Sequence, residues 1–325
     1  MPIFSKDSPP PPAKQAATHP ALTEEARQAA RLYPQRIPTA WAGRIRWGDP
    51  LDPLGRQVIP AAEELLSVAG FSTDPLEEQG KQQAPGLLQK YAGRALLQLS
   101  GHCPIHCRFC FRRHDTYANL PRSSQEWSPA LAWLANEPTI HEVIYSGGDP
   151  LMQPDRELAD LTRRLAAIPH ITRLRVHSRM PIVTPKRVGR PLLNWLTATR
   201  LTPVLVLHCN HPAELDNAAL QAIRRLRQAG ILLLNQSVLL KGINDDAEIL
   251  AELCETLSNH QVLPYYLHLL DPVAGAAHFH VESEQARRLL KQLQARLPGY
   301  AVPKLVREEP GYPSKKSVDL LGQAC

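Results

Sequence analysis

The chain contains no apolar run approaching the roughly 20 residues of a membrane span, so no membrane association is expected. It has no block of basic residues interleaved with aromatics, and nucleic-acid binding is therefore not expected either. Its N-terminus lacks the charged-then-apolar order of a secretory signal, which predicts a cytoplasmic protein. Cysteine is sparse, with six in 325 residues. In a reducing compartment, thiols that cluster favour metal binding or catalysis over disulfides. The excess of 37 Lys plus Arg over 31 Asp plus Glu leaves a net charge of +6, a mild bias that suits an anionic cofactor.

What is present has a clear order. Residues 1–20 are polar and proline-rich and predict a disordered tail. Residues 21–85 carry irregular helical spacing, as in EEARQAARLYPQR and AAEELLSVAG, and predict an N-terminal helical extension. From 86 to 300 six apolar runs read as buried strands: RALLQLS, EVIYSG, RLRVHS, PVLVLHC, ILLLNQSVLL and PYYLHLL. Between them lie helical faces, such as Leu158, Leu161 and Leu165, then Leu215, Ala219, Ala222 and Leu226, then Ala286, Leu289, Leu290, Leu293 and Leu297. Ser128 ahead of Pro129 and Asn244 ahead of DDAEIL read as helix starts. Strands alternating with helices predict an α/β fold of parallel βαβ units, a partial (β/α)6 TIM-like barrel. In such a barrel the chemistry sits at the C-terminal ends of the strands. Residues 301–325 form a C-terminal segment.

The first strand is followed at once by SGHCPIHCRFCFRRH, where Cys103, Cys107 and Cys110 are spaced C-x3-C-x2-C. Three thiolates satisfy three corners of a [4Fe–4S] cubane and leave the fourth iron open. The competing reading is zinc, which usually takes four protein ligands; His102, His106 or His114 could complete such a set. Cys209, Cys254 and Cys325 have no comparable spacing, and the first two read as core thiols.

The cysteine spacing after the first strand of a βα barrel resembles the signature of the radical S-adenosylmethionine (radical SAM) enzymes. The resemblance implies that the open iron chelates S-adenosylmethionine and that reductive cleavage yields a 5′-deoxyadenosyl radical. SGGDP, with Ser146, Gly147, Gly148 and Asp149, resembles the glycine motif that holds the methionine amino group; His208 and Gln236 resemble further adenosylmethionine contacts.

A longer resemblance, from about Lys90 onward, is to the lysine 2,3-aminomutases. It rests on KYAGRALL, CPIHCRFCFRR, SGGDPL, SRMPIV, NHPAEL, NQSVLLKGIND, PYYLHLLD, AAHF and PGYPSK. The family implies pyridoxal phosphate held as a Schiff base on a lysine, here Lys315, with Lys316 the competing position. Lys90 and Tyr91 resemble the residues that hold the cofactor phosphate, with Lys90 standing where the family has arginine; Arg179 is a further candidate. Arg112 matches the arginine that binds the substrate carboxylate, and Asp271 and Glu308 match two carboxylates that grip the ε-ammonium of lysine. Glu308 departs from the aspartate of the longer aminomutases by one methylene. The expected function is conversion of L-lysine to β-lysine, driven by a reducing electron donor. Compact members of the family resemble this chain and imply an (R)-β-lysine product destined for elongation factor P through its lysyl ligase. The alternatives are a glutamate 2,3-aminomutase, a lysine aminomutase of catabolism or osmolyte synthesis, and an iron–sulfur protein of another class. Two carboxylates facing a glutamate side chain would repel it, which favours lysine.

Overall fold

The computed structural model describes residues 22–318; the expected disordered tail at 1–20 and Cys325 lie outside the described residues. One sheet of ten strands follows chain order: β1 (Gln82–Ala84), β2 (Leu87–Tyr91), β3 (Arg94–Ser100), β4 (Glu142–Gly147), β5 (Arg173–Ser178), β6 (Thr202–His208), β7 (Leu232–Val238), β8 (Leu263–His268), β9 (Lys304–Arg307) and β10 (Lys316–Ser317). The six expected strands are β3 to β8, and they run parallel. β9 adds a seventh parallel strand, while β1, β2 and β10 join antiparallel at the two ends. Among the described residues β1 and β10 do not pair, so the sheet is an arc, a partial barrel.

Helices bridge successive strands on the outside: α2 (Ser128–Asn136), α3 (Asp155–Ala166), α4 (Arg190–Thr197), α5 (Asn217–Gln228), α6 (Ala247–Asn259) and α7 (Ser283–Arg296), after an N-terminal α1 (Glu24–Leu32). Leu158, Leu161 and Leu165 of α3 and Ala219, Ala222 and Leu226 of α5 are buried against the sheet. The start of α6 differs from expectation. Asp246 caps it, accepting from Glu248 and Ile249 backbone N–H at 2.8 and 3.1 Å. Asn244 is instead fully buried, accepting from Leu240 N–H and donating to the Asn210 and Val238 carbonyls, so it clamps a strand-end loop. Ser128 is already inside α2, where its hydroxyl donates to the Gln125 carbonyl instead of capping the helix.

The expected helical extension over 21–85 is mostly irregular. Beyond α1 it holds two single α-turns, Thr39–Ala42 and Pro53–Arg56, and ends in strand β1. AAEELLSVAG yields only a 3-10 turn, Ala62–Leu65, because Glu64 is drawn inward by two arginines and its neighbours Leu66 and Val68 remain exposed.

Candidate active site

Side chains on alternate positions of a strand point to opposite faces. In β5, Leu174, Val176 and Ser178 are buried, while Arg173, Arg175 and His177 line a cavity inside the arc. In β7 the cavity takes Leu232, Leu234, Gln236 and Val238, and Asn235 and Ser237 are buried on the other side. The cavity measures about 880 Å³ and reaches the cysteine loop at one end.

Cys103, Cys107 and Cys110 all line that cavity. Burial pushes the Cys110 thiol up to about 11, with Cys107 adding to it, and burial beside Cys110 raises Cys103 further. A cationic cluster would remove that penalty. His106 Nδ1 lies 2.6 Å from the Pro34 carbonyl and its ring stacks on Tyr33; His114 Nε2 lies 3.0 Å from the Ala274 carbonyl. One ring nitrogen of each histidine is thus engaged with a backbone carbonyl. Among the described residues no three His, Cys, Asp or Glu side chains converge to hold a single ion. A cubane, whose ligated irons stand apart, does not require such convergence.

The SGGDP turn ends β4 directly against this loop. A Cβ on Gly147 would stand 2.6 Å from the Ser100 carbonyl oxygen, and one on Gly148 2.6 Å from that of His102. The backbone N–H of Gly148 donates to Ser100 O and that of Asp149 to His102 O, at 2.6 and 2.8 Å. The glycines therefore let two loops touch, a role the sequence reading had not given them. The Asp149 carboxylate accepts from Leu151 N–H, the Ser178 hydroxyl, and the Arg179 and Met180 N–H groups. These bonds join the β4 and β5 ends, and Asp149 also lines the cavity. Ser146 Oγ accepts from Arg112 at 3.3 Å. His208 Nε2 and Gln236 Nε2 lie 2.8 Å apart on adjacent strands. Burial holds His208 down at about 3, and burial likewise keeps His177 and His268 neutral.

From the cysteine loop onward, charges alternate in a chain. Arg112 donates through Nε and Nη2 to both oxygens of Glu78 at 2.7 and 2.8 Å. Glu78 also pairs with Lys90 at 3.2 Å; Lys90 in turn pairs with Glu308, and Glu308 with Lys315. Burial alone would raise the Glu78 and Glu308 carboxyls, but Arg112 and Lys90 outweigh it for the first, and Lys315 and Lys90 for the second. Asp271, just past β8, is pushed up to about 7 by burial and by Glu308. Arg112, Asp271, Glu308 and Lys315 thus share one cavity, as the sequence reading requires. Lys316, one residue along, pairs with Glu309 at 3.3 Å and does not line the cavity.

The phosphate candidates stand in different surroundings. Arg179 lies at the cysteine loop, donating to Cys107 Sγ at 2.7 Å. Lys90 pairs with Glu78 and Glu308 and lines the cavity beside Tyr91. Two further cavity arginines, Arg94 and Arg175, were missed by the sequence reading. Arg94 lies over the Tyr91 ring at 4.5 Å, and half-buried Arg175 pairs with Glu142 while its buried Nε has no partner. Glu78 was missed as well. The period-two spacing of Arg173, Arg175 and His177 was the available signal for the strand residues; for Glu78, in a short 3-10 turn (Glu78–Lys81), there was none.

A family model of the radical SAM superfamily matches residues 97–193, which hold the cysteine loop and the SGGDP turn. The L-lysine 2,3-aminomutase of Escherichia coli strain K12 is 48% identical over 294 residues, covering 90% of this chain and 86% of that one. The chain belongs to the L-lysine 2,3-aminomutase family. It is thereby an isomerase of the radical SAM type, for which a [4Fe–4S] cluster and S-adenosylmethionine are implied. The enzyme of the same name from Clostridium subterminale is 36% identical over 299 residues, covering 91% and 71%. Streptococcus suis SuiB shares the fold, with a TM-score of 0.51 at 14% identity over 67% of this chain and 50% of that one. No helix among the described residues is long and apolar enough to cross a membrane.

Proposed function

We propose that the chain converts L-lysine to (R)-β-lysine with pyridoxal phosphate on Lys315, and that the product is passed by a lysyl ligase to elongation factor P. The observation that carries the substrate assignment is the polarity of one cavity: Arg112 stands at the cysteine-loop end, and Asp271 and Glu308 stand beside Lys315. An amino acid with a terminal ammonium matches both poles, and burying either charge unpaired is costly. When bound, the cluster with adenosylmethionine supplies a carbon-centred hydrogen abstractor, and pyridoxal phosphate a conjugated ring that lets nitrogen move between adjacent carbons.

The chain's own groups position these parts. Cys103, Cys107 and Cys110 would ligate the cluster, and an external reductant would supply its electron. The Gly147 carbonyl, His208 and Gln236 line the adenosylmethionine side. Arg112 donates through Nε and Nη2 to Glu78 and through Nη1 to Ser146 Oγ and the Gly147 carbonyl, so the substrate carboxylate would take the guanidinium by displacing one of these partners. Lys315 would hold the cofactor, and Glu308, now paired with Lys315, would with Asp271 receive the ε-ammonium of lysine. Lys90 and Tyr91, with Arg94 and Arg175 on the same cavity wall, would hold the cofactor phosphate. Ile144, Val204, Leu234 and Val238 give the cavity an apolar wall beside these groups.

Anaerobic reconstitution with iron, sulfide, pyridoxal phosphate, adenosylmethionine and dithionite, followed by chiral analysis after lysine or glutamate addition, tests the reaction. Formation of (R)-β-lysine supports the reading; faster glutamate turnover overturns it. Mass spectrometry of elongation factor P from a strain lacking the gene tests the destination, and an unchanged β-lysylated residue sinks it.

A further inference from the structure

Arg179 has no place in the reaction as proposed, yet it is among the most heavily engaged residues of the molecule. It follows β5, is 6% exposed, and directs three nitrogens differently. Nη1 donates to Cys107 Sγ at 2.7 Å. Nη2 donates to Gln57 Oε1 at 2.6 Å and to Glu214 Oε2 at 3.1 Å. Nε is buried without any partner. The guanidinium also lies over the Trp41 ring at 4.8 Å and near the Phe109 ring at 5.7 Å. Glu214 and Gln57 are fully buried, and Glu214 further accepts from Gln57 and from Asn210 N–H. The cation is therefore fixed by four side chains with its charge against one thiol of the expected cluster, in surroundings too dry to screen it.

We infer that Arg179 sets the reduction potential of the [4Fe–4S] cluster by donating a charge-assisted hydrogen bond to Cys107, with Glu214 as the counter-charge that moderates it. The inference rests on the cluster assignment made above. Hydrogen bonds to ligand sulfur and nearby charge are among the quantities that set cluster potentials. One-electron reduction adds negative charge to the cluster, and a fixed cation at the sulfur stabilises that state more than the oxidised one. The electron comes from the external reductant, and no proton need move. The free Nε–H is a second donor available to the cluster's acceptors.

The sign separates this from a merely structural role. Replacing the cation lowers the midpoint potential, whereas removing only its counter-charge raises it. The experiment is an EPR-monitored potentiometric titration of the reconstituted protein without adenosylmethionine. Arg179→Gln, Arg179→Lys and Glu214→Gln are compared with the parent after iron and sulfide analysis. Arg179→Gln is expected to disfavour reduction about tenfold, which is about 59 mV for a one-electron couple. Arg179→Lys, keeping charge but losing the fork, is expected between it and the parent. Glu214→Gln, close to isosteric, shifts the midpoint upward and decides the question if Arg179→Gln does not assemble a cluster. Midpoints that stay at the parent value, or shifts of the same sign in Arg179→Gln and Glu214→Gln, overturn the inference. A parent protein that binds no four-iron cluster would instead overturn the cluster assignment itself.

Discussion

Asp271 shows how single residues here are tuned by burial. Its carboxyl, at about 7, is protonated over much of the neutral range because burial and Glu308 disfavour its charge, while Lys315 and Lys90 pull the other way and Glu78 adds repulsion. The ε-ammonium of lysine stays charged well above that pH, with an ordinary value near 10.4. Ionised Asp271 is the form that binds it, so lysine binding is expected to release a proton, and affinity should fall about tenfold per pH unit once the pH is below the Asp271 value. Calorimetry of lysine binding to the pyridoxal-loaded protein in buffers of different ionisation enthalpy measures that release. Asp271→Asn should abolish it and weaken binding by about 1.5–3 kcal/mol; release that persists in the variant would assign the proton elsewhere. The neighbouring lysines make a second test at this scale. Lys315→Ala should lose the visible absorbance of the bound cofactor and Lys316→Ala should retain it, because only Lys315 faces the cavity.

At the scale of elements, the critical contact is between two loops that each end a strand. Gly148 sits where a methyl group would meet the His102 backbone at 2.6 to 3.0 Å, and backbone cannot swing aside as a side chain can. Gly148→Ala should therefore displace the cysteine loop and lower bound iron per chain after reconstitution, while far-UV circular dichroism stays close to the parent. Full iron content would show that the loops tolerate separation. The sequence made β3 to β8 readable because each is a run of apolar residues flanked by helical spacing. β1, β2, β9 and β10 escaped because they are short, partly polar edge or near-edge strands, defined by pairing partners far along the chain. The cysteine loop was readable from spacing alone. The Arg112–Glu78–Lys90–Glu308–Lys315 chain was only half readable, since Glu78 belongs to a short 3-10 turn with no periodicity, and its role exists only once residue 78 is brought to residues 90 and 112. The surroundings of Arg179 were unreadable for a related reason: the sequence tells that an arginine follows β5 but not which neighbour it turns toward.

At the scale of the whole molecule, the N-terminal segment is tied to the barrel by buried ion pairs and backbone hydrogen bonds. Glu64, with its side chain 1% exposed, accepts from Arg108 Nε and Nη2 at 2.8 and 2.6 Å and from Arg113 Nη2 at 2.6 Å. Both arginines flank Cys110, and both lie over the Tyr33 ring at 4.8 Å. Arg108 also donates to the Tyr33 carbonyl, and its backbone N–H to that of Gln57. On the other side Ser72 bridges Val273, and Arg44 donates to the Glu214 and Ile182 carbonyls. Residues 22–85 and the βα units should accordingly unfold in one transition, since the segment has no apolar core of its own to persist alone. Glu64→Ala removes one partner from two buried cations, a change worth about 3–5 kcal/mol when a single buried pair is broken. Urea unfolding of the cluster-free protein should show a midpoint lowered to match, still with fluorescence and circular dichroism coincident. Two separated transitions, with the strands melting after the N-terminal segment, would show instead that the segment merely rests on the barrel, and the buried arginines would then have to be satisfied without it.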